Sequence, residues 1–336
     1  MALTMQAHFQ QLVEKVSCLA LKDFQKSIRS FALFHAISFG MLSLLLVAFF
    51  YLINFRPKSL GLAIVIALFF LTVFSYFVLL NYYVTKKPSE LSRIKGAFVS
   101  AISKDLPAEK ESSEYHLLLA NSTYQLSSFI QRNDALGIRF NFPLASINSL
   151  LKKANALLHV RDIHMLKEML LLESIDEHVK LIKKHPTDLE AHASLANAYI
   201  ALSRLYKQGD EGAGWMKRFI SPQVRLDRFN AAAGRAIEEL KIVGDYSPND
   251  PWVHAQLASC YHDLNLFDDE IREYETIINL YPDDREILFR LGNLYFQQGM
   301  SSKGLRTYET LKQISPDSAL EMIQGYDAFL HDKFTS

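Results

Sequence analysis

The sequence predicts an all-α protein: a two-helix transmembrane hairpin near the N-terminus, followed by a soluble α-helical solenoid. Three observations carry this. Residues 31–55 and 59–85 contain no Asp, Glu, Lys or Arg. Elsewhere, apolar residues recur at spacings of three and four, the signature of one buried helix face. In the C-terminal part, several independent residue tracks repeat every 34 positions.

With 336 residues the chain has room for two or three structural units. Its 36 basic and 36 acidic residues cancel, so nothing points to nucleic acid. The balance is uneven, however. From Asp245 to the end there are 16 acidic and 7 basic residues, a net charge of −9. Such a run solvates a helical surface or favours a basic partner. Cys18 and Cys260 are far apart, so they form no disulfide framework and no zinc motif.

The first element is an amphipathic helix in residues 1–30. Phe9, Leu12, Val13, Val16, Leu19, Ala20 and Phe24 form one face, and Lys15, Lys22 and Lys26 lie on others. Such a helix either rests on a membrane surface or packs on the soluble part. Cys18 within it reads as a buried thiol rather than an acylation site.

Next comes the hairpin, residues 31–85, with spans at 31–53 and 60–84. Twenty-three helical residues reach about 35 Å, enough for a hydrocarbon core of about 30 Å. The first span is not expected to be a signal peptide, since thirty residues precede it, the apolar run is too long and no small-x-small site follows it. Pro57 marks the turn in the short link, which makes the spans antiparallel. Lys22, Lys26, Arg29, Lys86, Lys87, Arg93 and Lys95 flank the spans on one side, against Arg56 and Lys58 in the turn. The excess predicts both termini on the cytoplasmic side. His35, within two turns of the basic flank, is expected near the interface rather than as a proton site.

Residues 86–188 read as helices, with one around Leu118–Ile130, one around Ile147–Leu158 and one from Met165 to Lys184, ended by His185-Pro186. Asn141-Phe142-Pro143 marks a break. Pro186 lies 62 residues before Pro248, so the last of these helices reads as part of a degenerate repeat.

The repeats occupy residues 189–318. A large-small pair precedes a tyrosine at Leu195-Ala196 and Tyr199, at Leu257-Ala258 and Tyr261, and at Leu291-Gly292 and Tyr295. Leu240, Tyr274 and Tyr308 are spaced by 34, as are Pro248, Pro282 and Pro316. On these residues the segment resembles the tetratricopeptide repeat family, whose helical hairpins stack because one alone cannot bury its apolar face. Small residues permit close helix approach, and prolines separate the units. Glu270 departs from the pattern, standing where Ala236 and Gly304 are small. The first repeat departs too, carrying about 28 extra residues between Tyr199 and Ala236, with GDEGAGWMKRFISP at the tip. Trp215 and Phe219 there are candidate contact residues. Residues 319–336 form a capping helix and tail.

No hydrolase elbow, zincin motif, phosphate loop or dinucleotide fingerprint occurs, so the reading is of a non-catalytic protein with no cofactor and no metal. The resemblance implies a groove for other proteins or peptides, and Trp252, Glu286, Phe289, Asn293 and Phe296 are its candidate residues. Capture of a partner's C-terminal carboxylate, one use of the family, is not expected. Asn197, Asn293 and Arg290 suit it, but Ala193 and Phe289 stand one turn before the two asparagines, where lysine is needed. The function expected is a scaffold held at the cytoplasmic face of a membrane, with an architecture similar to bacterial inner-membrane proteins. The rivals are a membrane enzyme with its site in residues 88–188 and an accessory subunit of a channel or transporter.

Overall fold

A computed structural model describes residues 2–55, 59–106, 108–110, 112–132, 145–208 and 221–335. The link at Pro57, the break at 141–143 and the insertion tip with Trp215 and Phe219 lie outside the described residues. Those described form helices α1 (Ala2–Phe55), α2 (Ser59–Asp105), α3 (Ser113–Arg132), α4 (Ala145–Lys184), α5 (Leu189–Gln208), α6 (Pro222–Tyr246), α7 (Pro251–Asp263), α8 (Phe267–Leu280), α9 (Arg285–Gln297), α10 (Ser301–Ile314) and α11 (Pro316–Thr335). No strand occurs among them. They divide into two compact units, one on residues up to Glu177 and one on residues from His178.

In the first unit the segments expected to be separate are continuous. The N-terminal amphipathic face and the first apolar stretch are one helix, α1. Helix α2 runs from the second apolar stretch through Pro88 to Asp105. Helix α4 likewise joins the two helices expected around Ile147–Leu158 and Met165–Lys184.

The amphipathic face packs inward. Val13, Phe24 and Ile28 of α1 meet Leu91, Phe98 and Ile102 of α2, Leu126 of α3 and Leu170 of α4 in one core. The alternative of lying on a surface is thereby closed for these residues. Cys18, expected to be buried, is exposed, because it lies off the Val13–Phe24–Ile28 stripe.

Polar ties fix the register of this bundle. Lys87 pairs with Asp162 at 2.9 Å, with side chains only 8% and 10% exposed, and lies over the Phe31 ring. His116 pairs with Glu177 at 2.6 Å, Lys95 with Glu173, and Ser174 donates to the Ala120 carbonyl. Two of the basic residues counted as flanking charge, Lys87 and Lys95, are therefore engaged with carboxylates.

Beyond the bundle, α1 and α2 continue side by side. Tyr76 and His35 share a hydrogen bond at 3.2 Å across the pair, beside stacked Phe34 and Tyr76. Many other apolar side chains of this stretch are exposed: Ile37, Leu44 and Val47 of α1, and Phe70 and Phe74 of α2, are about two-thirds exposed.

The second unit is a run of helical hairpins, α5–α6, α7–α8 and α9–α10, with α11 as cap. Helices α5 and α6 have 20 and 25 residues, against 13 or 14 in α7 to α10. Each hairpin starts on an aspartate N-cap. Asp188 accepts from Ala191 N, Asp250 from Trp252 N, and Asp284 from Glu286 N and Ile287 N. The turns are closed by Asn265 (φ 58°) and Gly299 (φ 75°), 34 residues apart, in the left-handed conformation that ends helices. Small residues sit at close approaches: Gly304 faces the Phe296 ring, and Gly292 faces Met322.

Each core joins the two helices of a hairpin to the first helix that follows it. Leu240, Val253 and Tyr261 share a cluster, as do Ile271, Tyr274 and Tyr295, and Phe296, Leu311 and Met322. This is the nearest-neighbour packing of a solenoid.

A second periodic device recurs in the first two hairpins. His192 contacts the Pro186 carbonyl at 3.0 Å and Glu239 at 2.6 Å. Its counterpart 62 residues later, His254, contacts the Pro248 carbonyl at 2.9 Å and Glu273 at 2.6 Å. Carbonyl and carboxylate oxygens only accept, so both ring nitrogens must donate, which selects the imidazolium. Burial alone lowers the pKa of each histidine, but the hydrogen bonds and carboxylate charge outweigh it and leave both raised. The third repeat has Leu288 and Thr307 at these places and closes by apolar contact instead.

Candidate functional site: a polar groove across the repeats

Helices α5, α7 and α9 each lead a hairpin, and between them opens a groove of about 570 Å³. Helix periodicity places residues three and four apart on α7 and α9 along its walls. Ala255, Gln256, Ser259 and His262 come from α7, and Glu286, Phe289, Arg290, Asn293 and Gln297 from α9. Arg204 of α5 closes one end, and its Nη2 lies 3.5 Å from Ser259 Oγ. The floor comes from α8, through Glu270 and Tyr274.

Of the five residues assigned to the groove from sequence, Glu286, Phe289 and Asn293 line it together. Trp252 does not. It sits in the first turn of α7, 38% exposed, one turn before Ala255 and Gln256 of the wall. Phe296 is a correction: it is 3% exposed, stacked on Tyr326 with centroids 4.1 Å apart, and packed over Gly304. The void that glycine leaves, together with α11, draws the ring into the core. Trp215 and Phe219 fall outside the described residues.

The electrostatic centre is a pair that sequence reasoning did not assemble. Glu270, only 4% exposed, has both carboxylate oxygens 3.1–3.2 Å from Nδ1 of His262, whose side chain is 58% exposed. Burial pushes the Glu270 carboxyl up, against the opposing effect of His262. Arg290 donates to Glu286 at 2.7 Å, and its pKa is raised by that bond and by one to Tyr274. The signal for this centre was present in the sequence as an anomaly: Glu270 breaks the small-residue track between Ala236 and Gly304.

Chemically the groove can bind an extended chain. Its walls carry amide, hydroxyl and guanidinium groups beside the Phe289 ring, and the floor holds a buried carboxylate. Among the described residues, no group of three or more metal-ligating side chains occurs, and no hydrogen bond links Ser259 to His262.

Residues 286–318, which form α9, α10 and the start of α11, match a family model described as tetratricopeptide repeat. Among solved structures the chain is similar to a crystal structure of MamA, at 16% identity and TM-score 0.33, over 52% of this chain and 96% of that one. It is similar to YrrB, titled a TPR protein with an unusual peptide-binding site, at 17% identity and TM-score 0.34, over 68% and 98%. It is also similar to TTC0263, a thermophilic TPR protein in Thermus thermophilus, at 20% identity and TM-score 0.33, over 65% and 99%. A comparison with curated protein sequences finds no match.

Proposed function

We propose that this chain, a tetratricopeptide-repeat protein, is a non-catalytic scaffold that is anchored in a membrane by α1 and α2 and holds a protein partner in the groove across α5, α7 and α9. The groove carries the reading. It spans successive repeats, lies open to solvent, and mixes hydrogen-bonding groups with an aromatic wall, which suits a peptide backbone with side chains. The His262–Glu270 pair is joined by hydrogen bond to no nucleophile among the described residues, which favours binding over catalysis there.

The anchoring rests on the apolar stretches of α1 and α2. A soluble core helix hides such residues, whereas almost none of either stretch is buried. An exposed apolar surface of this extent marks an interaction face, and its length suits a bilayer core. The one-sided excess of basic residues supports cytoplasmic termini, at the inner membrane if the host is bacterial.

The test uses the full chain. Carbonate washing should leave it in the membrane pellet and detergent should release it; release by carbonate alone removes the anchoring. Cross-linked partners should be lost from Asn293→Arg, which places a long cation in the groove, and kept by Gln223→Ala on the exposed face of α6. Equal recovery on both variants removes the groove.

A further inference from the structure

Glu270 has no packing reason to be where it is. Its place in the repeat is taken by Ala236 one unit earlier and Gly304 one unit later, where a small side chain lets two helices meet. Putting a carboxylate at 4% exposure there forfeits hydration that a single hydrogen bond does not restore. A carboxylate accepts about four hydrogen bonds. Among the described residues Glu270 receives one donor, His262 Nδ1, shared between its two oxygens. Arg290 of the groove wall favours the Glu270 carboxylate through its charge, but its hydrogen bonds go to Glu286 and Tyr274. The remaining acceptor capacity of Glu270 lies on the floor of the groove.

We propose that this floor receives a cationic side chain, arginine or lysine, from an extended segment of the bound protein. The inference rests on the peptide-groove reading and specifies what the groove selects. An incoming guanidinium or ammonium supplies the missing donors and neutralises the buried charge without displacing His262, which sits largely in solvent. The surrounding field has the matching sign, since residues 245–336 carry a net charge of −9, which attracts a basic segment over tens of ångströms at low salt. An acidic segment or a terminal carboxylate would instead bring a second anion to Glu270 and Glu286.

The experiment uses full-length protein in nanodiscs and fluorescein-labelled decapeptide pools, each fixed at its centre as Arg, Lys, Leu or Glu with randomised flanks. Fluorescence polarisation reads affinity. The Arg and Lys pools should bind about tenfold tighter than the Leu and Glu pools, equivalent to about 1.4 kcal/mol. Glu270→Gln, which keeps shape, and Glu270→Ala, which restores the residue of the earlier repeat and so preserves the fold, should each reduce that preference to about threefold or less. Asn293→Arg should abolish binding of every pool. A basic preference that survives both Glu270 variants overturns the inference, as does equal or tighter binding of the Leu or Glu pools; if that binding is still lost in Asn293→Arg, the groove itself stands. If no pool binds the wild type better than Asn293→Arg, the groove reading and the inference fall together.

Discussion

Gly304 is a sharp place to test whether close helix approach organises the repeats. A Cβ added there would lie 2.5, 2.6 and 2.9 Å from Cε1, Cδ1 and Cζ of Phe296. Carbon atoms in contact prefer about 3.5–4.0 Å, so the ring must retreat by about 1 Å. It has little room to do so, being 3% exposed and stacked on Tyr326. Alanine gains about 1 kcal/mol over glycine inside a helix. Overpacking costs about 1–3 kcal/mol, and disturbing the stack about 0.5–1.5 kcal/mol more. Gly304→Ala should therefore destabilise the repeats by about 2 kcal/mol. Gly234→Ala is the control, because nothing lies within 4 Å of its added Cβ, and it should stabilise by up to about 1 kcal/mol. Gly292→Ala should fall between them, since it meets the flexible end of Met322. Urea unfolding of the full chain in detergent, in a Trp215→Phe background that leaves Trp252 as the reporter, ranks the three. If Gly304→Ala is as stable as the parent, the reasoning about the Phe296 contact is wrong. Phe296→Leu combined with Gly304→Ala should lose less than the sum of the singles.

The histidine latches give a pH dependence. Their folded pKa values are raised, so their contribution is fully present below the ordinary histidine value and disappears as pH rises through the raised one. The urea midpoint should fall over that window, and His192→Gln/His254→Gln should flatten the slope; an unchanged slope removes the latches as its source. In the native protein a maleimide should label Cys18 and spare Cys260, which is buried with its thiol pushed up to about 12; equal labelling contradicts that burial. Lys87→Met should cost the first unit about 3 kcal/mol by removing its buried ion pair with Asp162, and Lys87→Met/Asp162→Leu should recover most of it. A double variant no better than the single, in urea unfolding followed by far-UV circular dichroism, counts against the pair.

Some of this was legible before any coordinates. Charge-free runs and a 34-residue period announce themselves, because they are properties of spacing. The aspartate caps at 188, 250 and 284 obey the same periods two residues after each proline, and were legible though not singled out. Phe296 could not be placed from its own helix, since its burial depends on a hole at Gly304 and a lid from α11. Glu270 was visible as an irregularity, but its meaning required His262 from the preceding helix and the open wall of α9. Whether the N-terminal face met lipid or protein was undecided by its pattern, since both environments accept the same apolar stripe.

The continuity of α1 has a mechanical consequence. Its 54 residues make a rod of about 80 Å that belongs to the proposed anchor at one end and to a packed core at the other, with no joint between. A linker would let the bundle swivel and drift within its reach. A shared helix does the opposite: tilting or rotating the segment in lipid tilts or rotates the bundle α1–α4 with it. Under the proposed anchoring the four-helix bundle is mounted rather than leashed, and lipid composition becomes a handle on its orientation.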